Sequence, residues 1–246
     1  MKDHKWVFGV VIVLLLLIGC NKEGAGCFTK AGEEKTISVD VPPYTTIDVA
    51  SNVDVLLLAS GPDGVEVTTG QNLLNGISLE VEEGVLKIDN LNTCFWSNGY
   101  KHPLVIIRNA GLEKVIQHGY GKIYSKDFLT ADNLSLLLED ASGAIDLKVN
   151  ANFIRVVSNN IGPITLTGTT QELHVGYYWC DGILYSKDLV ANYCYVDHNG
   201  SNRLELNVTD KLEGQINSLG DVYLFGQQPA EEQVEVTSGG RVVEKF

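Results

Sequence analysis

Positive charge is scarce in this sequence: 18 Lys and Arg stand against 31 Asp and Glu, a formal charge of −13 at pH 7. Recognition of a nucleic-acid backbone, or electrostatic docking on anionic lipid, needs clustered cations, so both are excluded as main functions. No stretch beyond residue 20 repeats apolar residues at helical spacing, which removes helix bundles and coiled coils. No Cys-x-x-Cys pair occurs, so a zinc knuckle or a thioredoxin-like redox site lacks its ligands. Nor is there a long hydrophobic run: the block from Trp6 to Ile18 has 13 residues, whereas crossing a hydrocarbon core of about 30 Å takes about 20. What the chain does have is 25 glycines, five cysteines and many short Val- and Ile-rich segments.

The short apolar block is preceded by Lys2 and Lys5 and closed by Gly19 and Cys20, the layout of a secretory signal. Leu17-Ile18-Gly19-Cys20 resembles the lipobox of bacterial lipoproteins. That resemblance implies removal of residues 1–19 and acylation of Cys20 as the mature first residue. Two or three acyl chains, at about 0.8 kcal/mol per buried CH₂, hold a protein on a bilayer without a transmembrane helix. By analogy with bacterial lipoprotein sorting, Asn21 rather than Asp after the cysteine permits the outer membrane, on its periplasmic or its outward face, and Lys22-Glu23 loosely resembles surface-export tags of Bacteroidetes lipoproteins. Removing Lys2, Lys5 and Asp3 with the leader takes the net charge to about −14, consistent with a solvated acidic surface.

Four cysteines then remain, an even number in an exported chain, which invites disulfides. Cys27 lies just beyond the anchor and Cys94 closes the first strand-rich segment, so their pairing would staple the N-terminus to the domain. Cys180 and Cys194 form a second candidate pair, but only if the chain turns a corner between them: 14 residues separate them in sequence.

Residues 21–35 are small and charged, so residues 20–35 read as a tether. From Thr36 the pattern becomes alternating runs such as "TISVDV", "TIDVASNVDVLLL" and "ISLEVEEGVLKIDN", broken by Pro, Gly and Asn, which read as strands. Glu82-Glu83-Gly84 reads as a hairpin turn. From residue 111 the sequence repeats itself: "GYGKIYSKDF", "ASGAIDLKVN", "NIGPITLTGT", "CDGILYSKDL", "GSNRLELNVT", "SLGDVYLFGQ" and "SGGRVVEKF" each set a tight turn before a strand. The pivots Gly121, Gly143, Gly162, Gly182, Asn202, Gly220 and Gly240 are separated by 22, 19, 20, 20, 18 and 20 residues. A fixed turn residue at a period near 20 marks a stack of repeats, each too small to bury its apolar face alone. The expected fold is all-β, a parallel β-helix or β-solenoid of about seven rungs over residues 111–246, preceded by a strand-rich segment over residues 36–110 that a separate β-sandwich would also explain.

The lipobox, "VPPYTTIDVASNVDVLLL", "GQNLLNGISLEVEEGVLKIDN", "NTCFW" and the glycine-phased repeats together resemble the Bacteroidetes lipoproteins that carry a head GIN domain, also called auto-transporter adhesins. The likeness runs over roughly residues 36–240. It implies a right-handed β-helical domain at the cell envelope and carries no catalytic residues. Asn202 in place of a pivot glycine, and Pro163 after Gly162, depart from the simple rung pattern and point to bulged rungs.

No set of reactive residues converges convincingly. His118 and His198 fall four rungs apart, about 19 Å, too far to share a metal ion. His174 and Cys194 hold the same phase on neighbouring rungs, where their side chains would meet, yet no third group orients the base that a Cys-His nucleophile requires. Asp140 and Asp181 are two rungs apart, about 10 Å, near the limit for a pair of glycosidase carboxylates. With His118, Asn159, Asn160, His198, Asn199 and Ser218 they read more simply as a polar ladder of turn residues capping their own backbone. Six aromatic residues crowd adjoining rungs: Tyr177, Tyr178, Trp179, Tyr185, Tyr193 and Tyr195. Rows of outward Tyr and Trp bind sugar rings or protein partners, and equally shield strand faces by cross-strand pairing. The expectation is a lipid-anchored, non-enzymatic binding or adhesion module without metal or cofactor, touching the membrane through lipid and a glycan or envelope protein through this surface. A carbohydrate-active enzyme and a structural scaffold are the alternatives.

Overall fold

The computed structural model describes residues 29–93, 101–140 and 142–246. Cys20, Cys27 and Cys94, with the leader, the anchor and the expected Cys27–Cys94 staple, lie outside the described residues. Seventeen strands follow one another in the described chain: β1 (Glu34–Val39), β2 (Thr46–Val49), β3 (Asp54–Leu58), β4 (Gly64–Gly70), β5 (Ile77–Glu82), β6 (Val85–Asn90), β7 (Leu104–Arg108), β8 (Lys114–Gln117), β9 (Lys122–Ser125), β10 (Leu129–Leu138), β11 (Ala144–Ser158), β12 (Ile164–Tyr178), β13 (Leu184–Asn199), β14 (Leu204–Ile216), β15 (Val222–Leu224), β16 (Glu231–Val236) and β17 (Val242–Glu244). The one helical element among them is a short 3₁₀ turn at Leu74–Gly76.

The strands build a β-solenoid of about six turns. Its rungs pair in parallel through Ile123↔Ile145, Ile145↔Ile164, Ile164↔Leu184, Leu184↔Leu204, Leu204↔Val222 and Val222↔Val242. Those steps are 22, 19, 20, 20, 18 and 20 residues, the same series as the pivot glycines. Each long strand bends midway, so its first half stacks in one sheet and its second half in another. Between the sheets, two aliphatic columns fill the interior. One runs Val55, Ile123, Ile145, Ile164, Leu184, Leu204 and Val222, and the other Ile47, Val115, Leu136, Val156, Val175 and Val196, all of them buried. Burying a side chain of this kind stabilises by about 1.5–3 kcal/mol relative to exposure, and a single rung has no such partner without its neighbours.

The stack also takes in strands from upstream of residue 111. β2 lies between β6 and β8, and β3 between β7 and β9, all in parallel. Antiparallel strands flank this end: β5 on β6, β4 on β7, and β1 on β4. The β5–β6 hairpin turns on Glu83 and Gly84, both at positive φ (50° and 77°), as a two-residue primed turn requires.

The rung irregularities lie in β13 and β14 rather than at the pivots. Between Thr165↔Tyr185 and Thr167↔Asp188 one extra residue enters β13, and the second half of that rung then pairs 21 residues on, as in Leu173↔Cys194. A shift of one residue reverses which face a side chain meets. His174 accordingly pairs with Tyr195 and points outward, while Cys194 pairs with Leu173 in the core, so the two form no nucleophile pair. Cys180 and Cys194 are both free thiols, contrary to the expected second disulfide. Cys194 is fixed mid-strand; Cys180 lies in the turn beyond β12, its Sγ 3.5 Å from the Ser158 carbonyl and its own carbonyl bonded to Ser201 N–H. The straight strand between Cys194 and that turn holds them about 20 Å apart.

Candidate binding surface

Alternation along the second-half strands sends Phe153 and Arg155 of β11, Glu172, His174 and Tyr178 of β12, and Tyr193, Tyr195 and Asp197 of β13 to the same outer face. His174 is at the centre of an aromatic group: Phe153 meets it edge-on at 4.9 Å between centroids, Tyr195 at 5.7 Å and Tyr193 at 6.1 Å. Glu172 Oε1 lies 2.7 Å from His174 Nε2 and fixes the ring. The Tyr193 hydroxyl donates to Glu213, which Lys211 approaches at 2.6 Å. Burial first and the Glu213 carboxylate second push the Tyr193 phenol above its ordinary range, so it stays a donor.

Tyr178 lies down over Gly176: a Cβ built there would come within 2.8 Å of its ring. Glycine at 176 therefore leaves the ring its seat. Burial, followed by the Asp197 carboxylate, raises the Tyr178 phenol. Asp197 also accepts from Asn199 Nδ2 at 2.7 Å and Gln215 Nε2 at 3.0 Å. Tyr195 is 36% exposed, and Trp179, at the turn beside this face, is 89% exposed with its ring 6.3 Å from that of Tyr178.

The six aromatic residues therefore do not form one surface. Tyr178, Tyr193 and Tyr195 share the outer face, with Trp179 at its margin. Tyr177 is buried in the core, where it pairs with Ser158 and His198, and its hydroxyl has no hydrogen-bond partner among the described residues. Tyr185 stands on the other sheet with the Arg203 guanidinium 5.5 Å over its ring. What sequence reasoning missed was Phe153 and His174, which complete the group from the two preceding rungs; period-2 alternation counted back from Tyr178 would have found His174.

The turn ladder also divides. Asn160 caps its own turn, its Oδ1 accepting from the N–H groups of Ile161 and Gly162. His198 is buried, its Nε2–H donating to the Asn202 carbonyl at 2.8 Å and its Nδ1 accepting from Gly200 N–H. Burial holds its pKa below the usual imidazole value. His118 stays half-exposed between Asp48 at 3.6 Å and Glu139 at 3.9 Å. The Asp181 carboxylate accepts from the Ser201 hydroxyl, and Asp140 N–H donates to Asn159 Oδ1. Among the described residues, no three His, Cys, Asp or Glu side chains converge as metal ligands.

Residues 43–228 match the family model described as "Putative auto-transporter adhesin, head GIN domain". The chain belongs to this family. Solved structures share the fold of this head GIN protein at low identity. A "putative adhesin" from Bacteroides fragilis superposes with a TM-score of 0.77 at 18% identity, covering 90% of this chain and all of its own. A "putative adhesin" from Parabacteroides merdae gives 0.64 at 17%, covering 91% of this chain and 100% of its own. A "Putative lipid binding protein" from Parabacteroides distasonis gives 0.60 at 16%, covering 89% and 98%. No curated protein matches the chain. Among the described residues, no helix is long and apolar enough to cross a membrane.

Proposed function

We propose that this head GIN protein is a non-enzymatic adhesion module of the outer membrane, held by lipid on Cys20, that contacts a glycan through the outer face of β11–β13. The observation that carries this reading is the aromatic platform itself: Tyr195 and Tyr178 offer ring faces, Phe153 and His174 brace them, and Asp197 with its two amide partners supplies hydroxyl-binding groups alongside. Flat aromatic rings beside a few oriented polar groups suit sugar rings, whose C–H faces stack while their hydroxyls bond sideways. The family description as an adhesin supports the role, and the acidic charge favours an uncharged glycan over an anionic one.

A glycan array tests the reading, with wild type compared against Tyr178→Ala. Wild type should bind a subset of neutral glycans and the variant should lose at least tenfold of that binding. Equal signals from both, or no glycan retained by either, would remove this face as the contact surface. Metabolic labelling with a radioactive fatty acid tests the anchor: label should mark wild type and be absent from Cys20→Ala.

A further inference from the structure

The four most exposed large apolar side chains among the described residues are Trp179 (89%), Leu219 (71%), Ile161 (65%) and Tyr120 (61%). All four fall on one edge of the solenoid, the column of pivot turns. Tyr120, Ile161 and Leu219 immediately precede Gly121, Gly162 and Gly220, and Trp179 lies three before Gly182. The turns are held rigidly against one another. A Cβ on Gly121, Gly162 or Gly220 would meet a backbone oxygen of the neighbouring turn at 1.9, 2.0 or 2.2 Å. The edge thus presents a fixed ridge of apolar tips over five rung steps, roughly 24 Å.

Trp179 is there at a conformational cost. The turns from Leu138 to Gly143 and from Tyr177 to Gly182 are each one residue longer than those starting from the register-matched Ser158, His198 and Ile216. Each longer turn holds a left-handed residue, Asp140 or Trp179, both at φ 48°. Aspartate adopts that conformation readily; for a bulky side chain it is an outlier, and such outliers gather where function holds them. An inserted tryptophan that is both strained and nearly fully exposed contributes nothing to the core.

We infer that this ridge seats in the interfacial zone of a lipid bilayer with uncharged headgroups and sets the solenoid edge-on to the membrane. The choice of occupant leans on the anchor at Cys20. Nine residues join Cys20 to Thr29, a reach of at most about 30 Å, so a bilayer is the surface that the ridge meets at high effective concentration. Four side chains bury on the order of 500 Å², less than the roughly 800 Å² per partner of a stable protein complex. For a tethered chain that needs only orientation, this area suffices. Tryptophan and tyrosine suit the headgroup boundary. The turns that form the ridge carry His118, Glu139, Asp140, Asp181 and Asp221 against one cation, Arg203, which Glu205 holds at 2.9 Å, so the edge is net acidic and does not attract anionic lipid. Edge-on seating leaves both sheet faces, including the aromatic platform, clear of the membrane.

Residues 21–246 retain every strand and core residue and carry two tryptophans, Trp96 and Trp179. In a Trp96→Phe background of this lipid-free chain, Trp179 alone reports. Titration with phosphatidylcholine vesicles should blue-shift its emission, and a lipid spin-labelled near the headgroup should quench it. Ile161→Ser combined with Leu219→Ser should weaken partitioning about tenfold or more, with an unchanged circular dichroism spectrum, and added phosphatidylglycerol should not strengthen it. Unchanged Trp179 emission at lipid excess would overturn the proposal, as would equal partitioning of the double variant. A concentration-dependent dimer that shields Trp179 without lipid would make the ridge a contact between copies and equally refute it. Failure of fatty-acid labelling at Cys20 would defeat the anchor alone and leave the vesicle titration readable.

Discussion

Gly162→Ala adds one methyl group where the nearest heavy atom, the Gly143 carbonyl oxygen of the neighbouring turn, would be 2.0 Å from the new Cβ. Ordinary carbon–oxygen contact is about 3.3 Å, so the turns must part by more than about 1 Å on a rung spacing of about 4.8 Å. Conformation is not the obstacle, since Gly162 is not among the residues at positive φ. The neighbour is backbone and has no rotamer to yield. The Asn160 cap on Ile161 and Gly162 N–H would distort with it. Overpacking costs about 1–3 kcal/mol and a weakened turn hydrogen bond about 1 kcal/mol, together roughly 3 kcal/mol. For a domain of this size that lowers Tm by roughly 6–12 °C. Gly64→Ala is the control: nothing lies within 4 Å of its Cβ position, so it should stay within about 0.5 kcal/mol of wild type. Urea titration and thermal melting followed by far-UV circular dichroism measure both. If the two variants melt within about 2 °C of each other, the turns are not in the contact described, and the glycine phase has another cause.

The remaining expectations concern buried groups and the N-terminal staple. His198 is held neutral by burial, with its folded pKa below the unfolded value of about 6.5. Its contribution is therefore complete above about pH 6.5 and is lost as pH falls through that value toward the folded pKa, by at most about 1.4 kcal/mol per pH unit. Melting of wild type between pH 7 and 5 should be steeper in pH than that of His198→Gln, and parallel curves would contradict the burial. Burial raises the thiol pKa of Cys194 and, to a lesser extent, of Cys180, so iodoacetamide at pH 8 should modify neither in the native protein and both in denaturing urea; mass spectrometry finding rapid native labelling at Cys194 would show the core to be open. Non-reducing peptide mapping should join Cys27 to Cys94, and free thiols at both would defeat the staple.

The repeat was legible because one physical requirement recurs in every rung but the one that pivots on Asn202: a turn backbone against its neighbour leaves no room for a Cβ. Gly121, Gly143, Gly162, Gly182, Gly220 and Gly240, with Asn202 in the fifth place, thus appear in sequence at the intervals at which Ile123, Ile145, Ile164, Leu184, Leu204, Val222 and Val242 pair in space. Insertion of β2 and β3 between later strands was not legible, since alternation identifies a strand but not its distant neighbour. The aromatic cluster failed at a similar point. Tyr177, Tyr178 and Trp179 are consecutive, and which of them faces inward depends on the change of alternation phase inside β12, between Thr170 and Leu173, and on the longer turn that carries Trp179. Neither has a signature in composition. The free state of Cys180 and Cys194 follows from the same register, which sends one into the core and leaves the other in a turn. Only half of the binding face could be named in advance, because Phe153 reaches it from a rung without an aromatic run and His174 stands four residues before the run that ends its own strand.

The central claim is that the outer face of β11–β13 makes the contact. Equilibrium binding of the strongest array ligand to wild type, Tyr195→Ala and Tyr185→Ala tests it most directly, because Tyr185 is a matched tyrosine on the opposite sheet. Loss of one stacked ring should cost about 1 kcal/mol or more, so Tyr195→Ala should weaken binding about fivefold or more while Tyr185→Ala binds as wild type. Equal affinities for the two variants, or a loss confined to Tyr185→Ala, would contradict it.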